Sequence, residues 1–278
     1  MAVAVTLIAS VPAADAFGAR QSKAKRPFGS VCLYSHTASD DPIVKPGQPG
    51  AAHSHDFFGS TSTDAFSTVE SLAGSPTTCK LTTDRSAYWA PTMYSDGEAV
   101  TPVQAHAYYV RKVRGRVVPP PLGLRIVAGG EAKRVRFGCV VEAMPSRLGN
   151  MVPKCGDGYF TIGITFPDCW NGVDLDSVDH RSHMAYSHDG RCPETHPVGT
   201  TRLRVFFAYP KPDPDSALTL SSGDLHTAHA DFFNAWDPQM LAETTAYCLN
   251  APKRRNCTKR LPEWLRDLDR ELAGASKT

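Results

Sequence analysis

The sequence predicts an all-β protein: a β-sandwich or jelly-roll-like barrel with long loops and a few short helices, stapled by disulfides. Three observations carry this expectation. Apolar and aromatic runs are short, as in Val31-Cys32-Leu33-Tyr34, Val103 to Val110, Tyr159 to Phe166 and Leu203 to Tyr209, which is strand length and not helix length. Turn-formers such as Pro46-Gly47-Gln48-Pro49-Gly50, Pro119-Pro120-Pro121-Leu122-Gly123 and Lys211-Pro212-Asp213-Pro214-Asp215 separate them, and 22 prolines with 21 glycines in 278 residues leave little room for long helices. Eight cysteines, none in a C-x-x-C pair, favour a disulfide framework over a zinc knuckle.

From the start of the chain, Ala2 to Ala9 is apolar and Ala14-Asp15-Ala16 matches a small-x-small cleavage site, so residues 1–16 are expected to be a secretory signal peptide. No stretch reaches the roughly 20 apolar residues of a membrane span. Residues 17–27 form a polar leader, and 28–278 are expected to be a single catalytic-type domain, secreted and monomeric. Helices are expected over Pro238 to Ala246 and over 261–272, where Leu261, Trp264, Leu265, Leu268 and Leu272 make an apolar stripe at helical spacing. A local Cys155–Cys169 disulfide is the expected pairing. With 30 basic and 28 acidic residues, no global field argues for a nucleic-acid partner.

The chemistry concentrates in His53-Ser54-His55-Asp56-Phe57-Phe58-Gly59. Read as a strand, its two-residue period puts His53 and His55 on one face and Asp56 on the other. Downstream, His229-Ala230-Asp231-Phe232-Phe233-Asn234-Ala235-Trp236 repeats the Asp-Phe-Phe text with its histidine in the opposite phase. The competing reading makes both motifs buried strands whose histidines bond only to backbone. A further group runs through His180, His183 and His188 to His196, with Asp174, Asp176 and Asp179 just upstream. An EF-hand is not expected there, since its glycine and terminal glutamate are missing.

No nucleophile elbow, dinucleotide turn, P-loop or His-Glu-x-x-His motif occurs. Acid–base or metal chemistry by histidines and carboxylates is what remains. His53, His55, Asp56, His183, His196, His229 and Asp231 are the candidate catalytic residues, with His53, His55 and His229 as ligands of a divalent metal. Tyr88, Trp89, Tyr109, Asn234 and Trp236 are candidates for a sugar-binding platform, because flat amphipathic rings cover the C–H faces of sugars.

These motifs, with Asp84-Arg85-Ser86-Ala87-Tyr88-Trp89-Ala90-Pro91, Phe166-Pro167-Asp168-Cys169-Trp170-Asn171-Gly172, Asp179-His180-Arg181-Ser182-His183-Met184 and Cys192-Pro193-Glu194-Thr195-His196-Pro197, resemble the serial motifs of a secreted family. It is the domain-of-unknown-function family numbered nineteen ninety-six, and the resemblance runs from about 53 to 248. It implies an extracellular protein whose relatives in some cases carry WSC-type glycan-binding modules; it supplies no activity and no catalytic residue. The function expected is a secreted carbohydrate-active hydrolase with a His/Asp pocket, metal-assisted if the histidines ligate, acting on a polysaccharide or oligosaccharide. A non-catalytic glycan-binding module and a copper-dependent oxidase are the alternatives.

Overall fold

Alternating side chains in short strands build one large antiparallel sheet. In the computed structural model, which describes residues 27–140, 153, 155, 158–252, 257 and 261–275, the first strands are β1 (Phe28–Ala38), β2 (His55–Gly59), β3 (Ala87–Pro91), β4 (Met93–Ser95), β5 (Glu98–Val100) and β6 (Gln104–Val110). There follow β7 (Arg125–Gly129), β8 (Val135–Val140), β9 (Tyr159–Thr165), β10 (Cys169–Trp170), β11 (Met184–Ala185), β12 (Val198–Gly199), β13 (Arg202–Tyr209), β14 (Leu218–Leu220) and β15 (His229–Phe233). Nine of them form a sheet in the order β7-β15-β3-β2-β1-β6-β13-β9-β8, which curls into a nearly closed barrel. Strands make up 37% of the chain, so the all-β expectation holds, and the barrel is its form.

The two faces of the sheet pack differently. On the inner face Phe58, Tyr88, Ile126 and Phe232 meet Phe207 and Tyr209 of β13 in the main core. On the outer face Phe57, Trp89, Val127 and Phe233 form a smaller core with Ile43 and Leu72. Ile43 comes from the 39–54 segment, and Leu72 from α1 (Val69–Gly74), whose N-terminus is closed by a Thr68–Ser71 capping box. Each fully buried large apolar side chain contributes about 1.5–3 kcal/mol, so this second core is enough to clamp the 39–54 segment onto the sheet.

The disulfides are Cys32–Cys79, Cys139–Cys155, Cys169–Cys192 and Cys248–Cys257, and none of the eight cysteines is free. The expected Cys155–Cys169 bridge is therefore wrong. Strand β9 runs between those two residues, and seven extended residues carry the chain about 23 Å, far beyond the reach of one S–S bond. Four disulfides are the chemistry of an oxidising compartment.

Chain ends follow the expected helices with adjusted bounds. A helix α2 (Pro238–Thr244), capped by the Asp237 carboxylate and started by Pro238, continues through a π-helical turn to Asn250. The last helix, α3 (Glu263–Ala275), buries Leu265 on the domain while Trp264 stays 45% exposed beside Tyr247. Its Asp269 faces inward, where its carboxylate accepts the backbone N–H and hydroxyl of both Thr82 and Thr83. No helix among the described residues is long and apolar enough to cross a membrane. The expected signal peptide and most of the leader lie outside the described residues.

Candidate metal centre

The site lies on the outer face of the sheet, beneath the 39–54 segment. Register dictates which residues meet there. Phe57 pairs with Trp89 and Trp89 with Asp231, so these three share one row across β2, β3 and β15. Two residues along, His55 pairs with Pro91, and the same register carries His229 of β15 into that row. His229 in turn pairs with Gly129 of β7. A Cβ on Gly129, whose φ is +100°, would stand 2.6 Å from the Ala228 carbonyl oxygen and 2.7 Å from the His229 Cα, so only glycine fits beside this histidine.

Imidazoles converge from both ends of the chain. The His53 and His55 rings are 4.2 Å apart between centroids, His53 and His229 5.1 Å, and His55 and His229 6.0 Å. Their ligand atoms lie within 4.8 Å of one another, and a second triad of the same compactness joins His55 to Asp41 and Asp231. Donors about 2.1 Å from one tetrahedral ion are spaced about 3.4 Å, within reach of side-chain rotation.

Hydrogen bonds set the tautomers. His55 Nδ1 donates to the Asp40 carbonyl at 2.9 Å, and His229 Nδ1 donates to the Thr227 carbonyl at 3.0 Å. Each ring therefore turns a lone pair on Nε2 towards the cluster, the arrangement found behind metal-bound histidines. That Nε2 of His55 is buried with no partner, and so are both carboxylate oxygens of Asp231. An orphaned buried acceptor costs about 1–3 kcal/mol, and here three belong to two residues of one cluster. Asp41 is better supplied: one oxygen accepts the Ile43 and Val44 backbone N–H groups. The Trp89 indole N–H lies near enough to favour its charged form, though outside hydrogen-bond geometry.

Electrostatics report the same strain. Burial, then the neighbouring His53, pushes His55 down to about 3, and burial pushes His229 down to about 4. Burial, reinforced by Asp41, raises Asp231 well above the usual carboxylate range, while Arg181 pulls the other way. Burial likewise raises Asp41 and lowers His53. Two desolvated carboxylates and three neutral imidazoles lack a positive charge among them, and one divalent cation would balance the carboxylates. The mixed N/O donor set suits zinc and its first-row neighbours better than calcium or magnesium. His55, Asp41 and Asp231 are buried, whereas His53 and the 16% exposed His229 side chain face the opening. A cation here would be reached from their side.

Several expected site residues belong elsewhere. Asp56 points to the opposite, inner face, where it accepts the Thr37 and Thr92 hydroxyls and is raised to about 6 by burial. Its other oxygen, Oδ2, is buried without a hydrogen-bond partner, but it lies on the inner face and Asp56 is not a member of the pocket. His183 is tied at both nitrogens, to the Ser177 hydroxyl and the Arg125 carbonyl, and His196 likewise to the Thr195 hydroxyl and the Ser182 carbonyl. Both brace the 171–199 loops, and neither joins the three converging histidines. The platform expectation also fails: Tyr88, Trp89 and Tyr109 are 0% exposed, and Asn234 and Trp236 1%. Tyr88, Tyr109 and Trp236 share a buried network ending on Asp84, and the Asn234 amide donates to the Pro120 and Pro121 carbonyls. Asp174, Asp176 and Asp179 are engaged locally, with Asn171, His180 and the 177–182 turn respectively.

Asp41 is the cluster member that sequence reasoning passed over. It sits in Ser39-Asp40-Asp41-Pro42, which reads as a turn, and no local spacing ties it to histidines 12 residues on.

A compact set of buried imidazoles and carboxylates on an antiparallel barrel defines the class: a β-barrel protein with a candidate transition-metal centre. The chain belongs to the family described as Domain of unknown function (DUF1996), whose model matches residues 41–236. That span holds all five cluster residues. No curated protein and no solved structure matches the chain significantly.

Proposed function

We propose that the chain is a secreted, metal-dependent hydrolase in which His53, His55 and His229, with Asp231 and Asp41, hold a divalent cation that activates water. One observation carries the reading: His55 Nε2 and both Asp231 oxygens are buried without hydrogen-bond partners, and His55 and Asp231 each bring a ligand atom into the same 4.8 Å cluster with Asp41. A cation held by these residues would supply Lewis acidity, lowering the pKa of water at the site towards ~7. The chain's own part is to fix ligand tautomers through Asp40 and Thr227, and to exclude water on the Phe57–Trp89–Phe233 side. It also leaves access beside His53 and His229.

An extracellular glycan is the substrate class we propose, in keeping with what the family resemblance implies; the buried aromatic residues no longer argue for it. Hydrolysis of a panel of polysaccharides and acyl esters by the purified protein tests the reading. Activity should vanish on chelation and return with zinc, cobalt or manganese. Activity that survives exhaustive chelation would overturn it. A copper-dependent oxidase is the second reading, favoured by the three nitrogen donors. Retention of copper over zinc, with oxidant-dependent turnover, would select it.

A further inference from the structure

The loop carrying Asp179-His180-Arg181-Ser182-His183 has no role in the centre as described, yet it is built with care. It covers the free edge of β7: Arg125 and Val127 donate their N–H groups to the Leu175 and His180 carbonyls, and His183 Nε2 donates to the Arg125 carbonyl. A single Asp179 oxygen accepts the Arg181 and Ser182 backbone N–H groups and the Ser177 hydroxyl, which holds that carboxyl far below its usual range. His180 adopts the left-handed conformation, φ 56°, and its ring bonds Asp176. A non-glycine residue is held there only where its surroundings over-determine it.

This construction places one side chain beside the strand that neighbours the centre. Arg181 is exposed, and its only hydrogen bond from the guanidinium among the described residues is a long one, 3.4 Å, to the Gly129 carbonyl. Gly129 is the ladder partner of His229. Arg181 forms no ion pair with a carboxylate among the described residues, so most of its donors are uncommitted. Its charge is felt at both His229 and Asp231. A guanidinium held beside a cation site is repelled when the site fills, unless an anion lies between the two charges. Guanidinium geometry matches the paired oxygens of a carboxylate or phosphate.

We propose that Arg181 is the substrate-positioning residue of this centre, and that the substrate presents an oxyanion group, a carboxylate or a phosphate, between the guanidinium and the cation held by His53, His55 and His229. The proposal rests on the metal reading given above and narrows its substrate class to anionic molecules. Acidic sugars and phosphate esters offer the same recognition chemistry.

The test uses the full chain loaded with cobalt, whose visible spectrum reports both metal uptake and a change in its ligands. Inorganic phosphate and glucuronate are titrated into wild type, Arg181→Gln and Arg181→Lys. Cobalt binding should be retained in all three, because Arg181 is not a ligand, and should be no weaker in Arg181→Gln, where a repelling charge is removed. Loss of one charge-assisted bidentate contact should weaken anion binding by about tenfold or more in Arg181→Gln, with partial recovery in Arg181→Lys. A response to phosphate alone or to glucuronate alone would support the proposal and assign the source of the oxyanion. Equal anion affinity in wild type and Arg181→Gln, or no anion binding by cobalt-loaded wild type, would overturn the proposal and leave the metal reading standing. Failure of wild type to bind cobalt or zinc would overturn both.

Discussion

Two strands carry the same Asp-Phe-Phe text and use it oppositely. In β2, His55 and Phe57 face the outer cluster while Asp56 and Phe58 face the barrel core. In β15 the phase is reversed, so His229, Asp231 and Phe233 face the cluster and Ala230 and Phe232 the core. A strand's side chains alternate, so one residue of phase decides everything for the carboxylate. Asp56 Oδ1 finds two threonine hydroxyls while its Oδ2 has none, whereas neither oxygen of Asp231 has a hydrogen bond among the described residues and His229 Nε2 stands 4.0 Å from Oδ2. Most buried polar groups have at least one hydrogen-bond partner. Asp231, unpartnered at both oxygens and gathered with His55 and Asp41, is the carboxylate of the two that is placed to take a ligand.

The sharpest way to break this comparison is to exchange the two carboxylates for amides. Asp231→Asn should lower zinc affinity by about 100-fold or more. The same change should make the metal-free protein more heat-stable at neutral pH, since it removes a carboxyl whose ionisation burial opposes. Asp56→Asn should leave zinc affinity unchanged within about twofold, because it lies on the other face. Calorimetric metal titration and thermal melts of the two variants decide the matter. Equal losses of metal affinity would erase the distinction between the strands.

Glycine at 129 gives the next largest effect. A methyl group there collides with the Ala228 carbonyl and the His229 backbone, in a conformation that itself disfavours side chains. Gly129→Ala should cost roughly 2 kcal/mol or more of stability. It should also displace His229 and weaken zinc binding by about tenfold. Chemical denaturation with and without zinc separates the two losses. Unchanged metal affinity would show that His229 is not held by this contact.

Acidity sharpens the comparison further. Because His55 and His229 titrate at about 3 and 4 in the metal-free protein, they do not compete with metal above pH 5. Asp231, raised well above its usual range, does. Zinc affinity should therefore rise with pH through the titrations of Asp231 and of His53, which burial lowers, with proton release on binding. For Asp56 the sign is that of a raised acid. Its folded pKa of about 6 exceeds the unfolded 3.8, so the neutral form stabilises the fold below 3.8, and that contribution is lost as pH rises through 6. Asp56→Asn should thus gain on wild type by about 2 kcal/mol between pH 4 and pH 7. Urea melts at the two pH values would show it; a gap that shrinks with pH would contradict the assignment.

The smallest effect is expected from the aromatic core. Trp236→Phe removes an indole N–H that donates to the Tyr109 hydroxyl at 2.9 Å. It should cost about 1–2 kcal/mol and leave metal affinity untouched. A loss of glycan affinity with no loss of stability would restore the platform reading for this residue.

What the sequence made legible follows from which interactions are local. Strand texture, turn chemistry and the alternation of His55 and Asp56 are properties of neighbouring residues, and the barrel and the inward position of Asp56 come from them; His53, expected in the same strand, instead lies just before β2. The approach of His229 to His55 depends on β3 lying between β2 and β15, with Pro91 keeping that row free of a competing polar group. Repeated Asp-Phe-Phe text hinted at the approach but could not give strand order. Asp41 was hidden because it reaches the cluster through a loop clamped by Ile43. The aromatic residues misled for a related reason. Tyr88 and Trp89 are adjacent in a strand buried on both faces, and composition alone cannot tell a doubly buried strand from an exposed platform. Disulfide pairing was equally out of reach, since it depends on where β9 runs.

X-ray absorption on the protein loaded with one equivalent of zinc reads the donor set of the centre itself. A single tightly held ion is expected, with N/O donors near ~2.0–2.1 Å and the outer-shell scattering of about three imidazoles, reduced to two in His229→Ala. A zinc spectrum without imidazole scattering, or one unchanged by His229→Ala, would contradict this donor set.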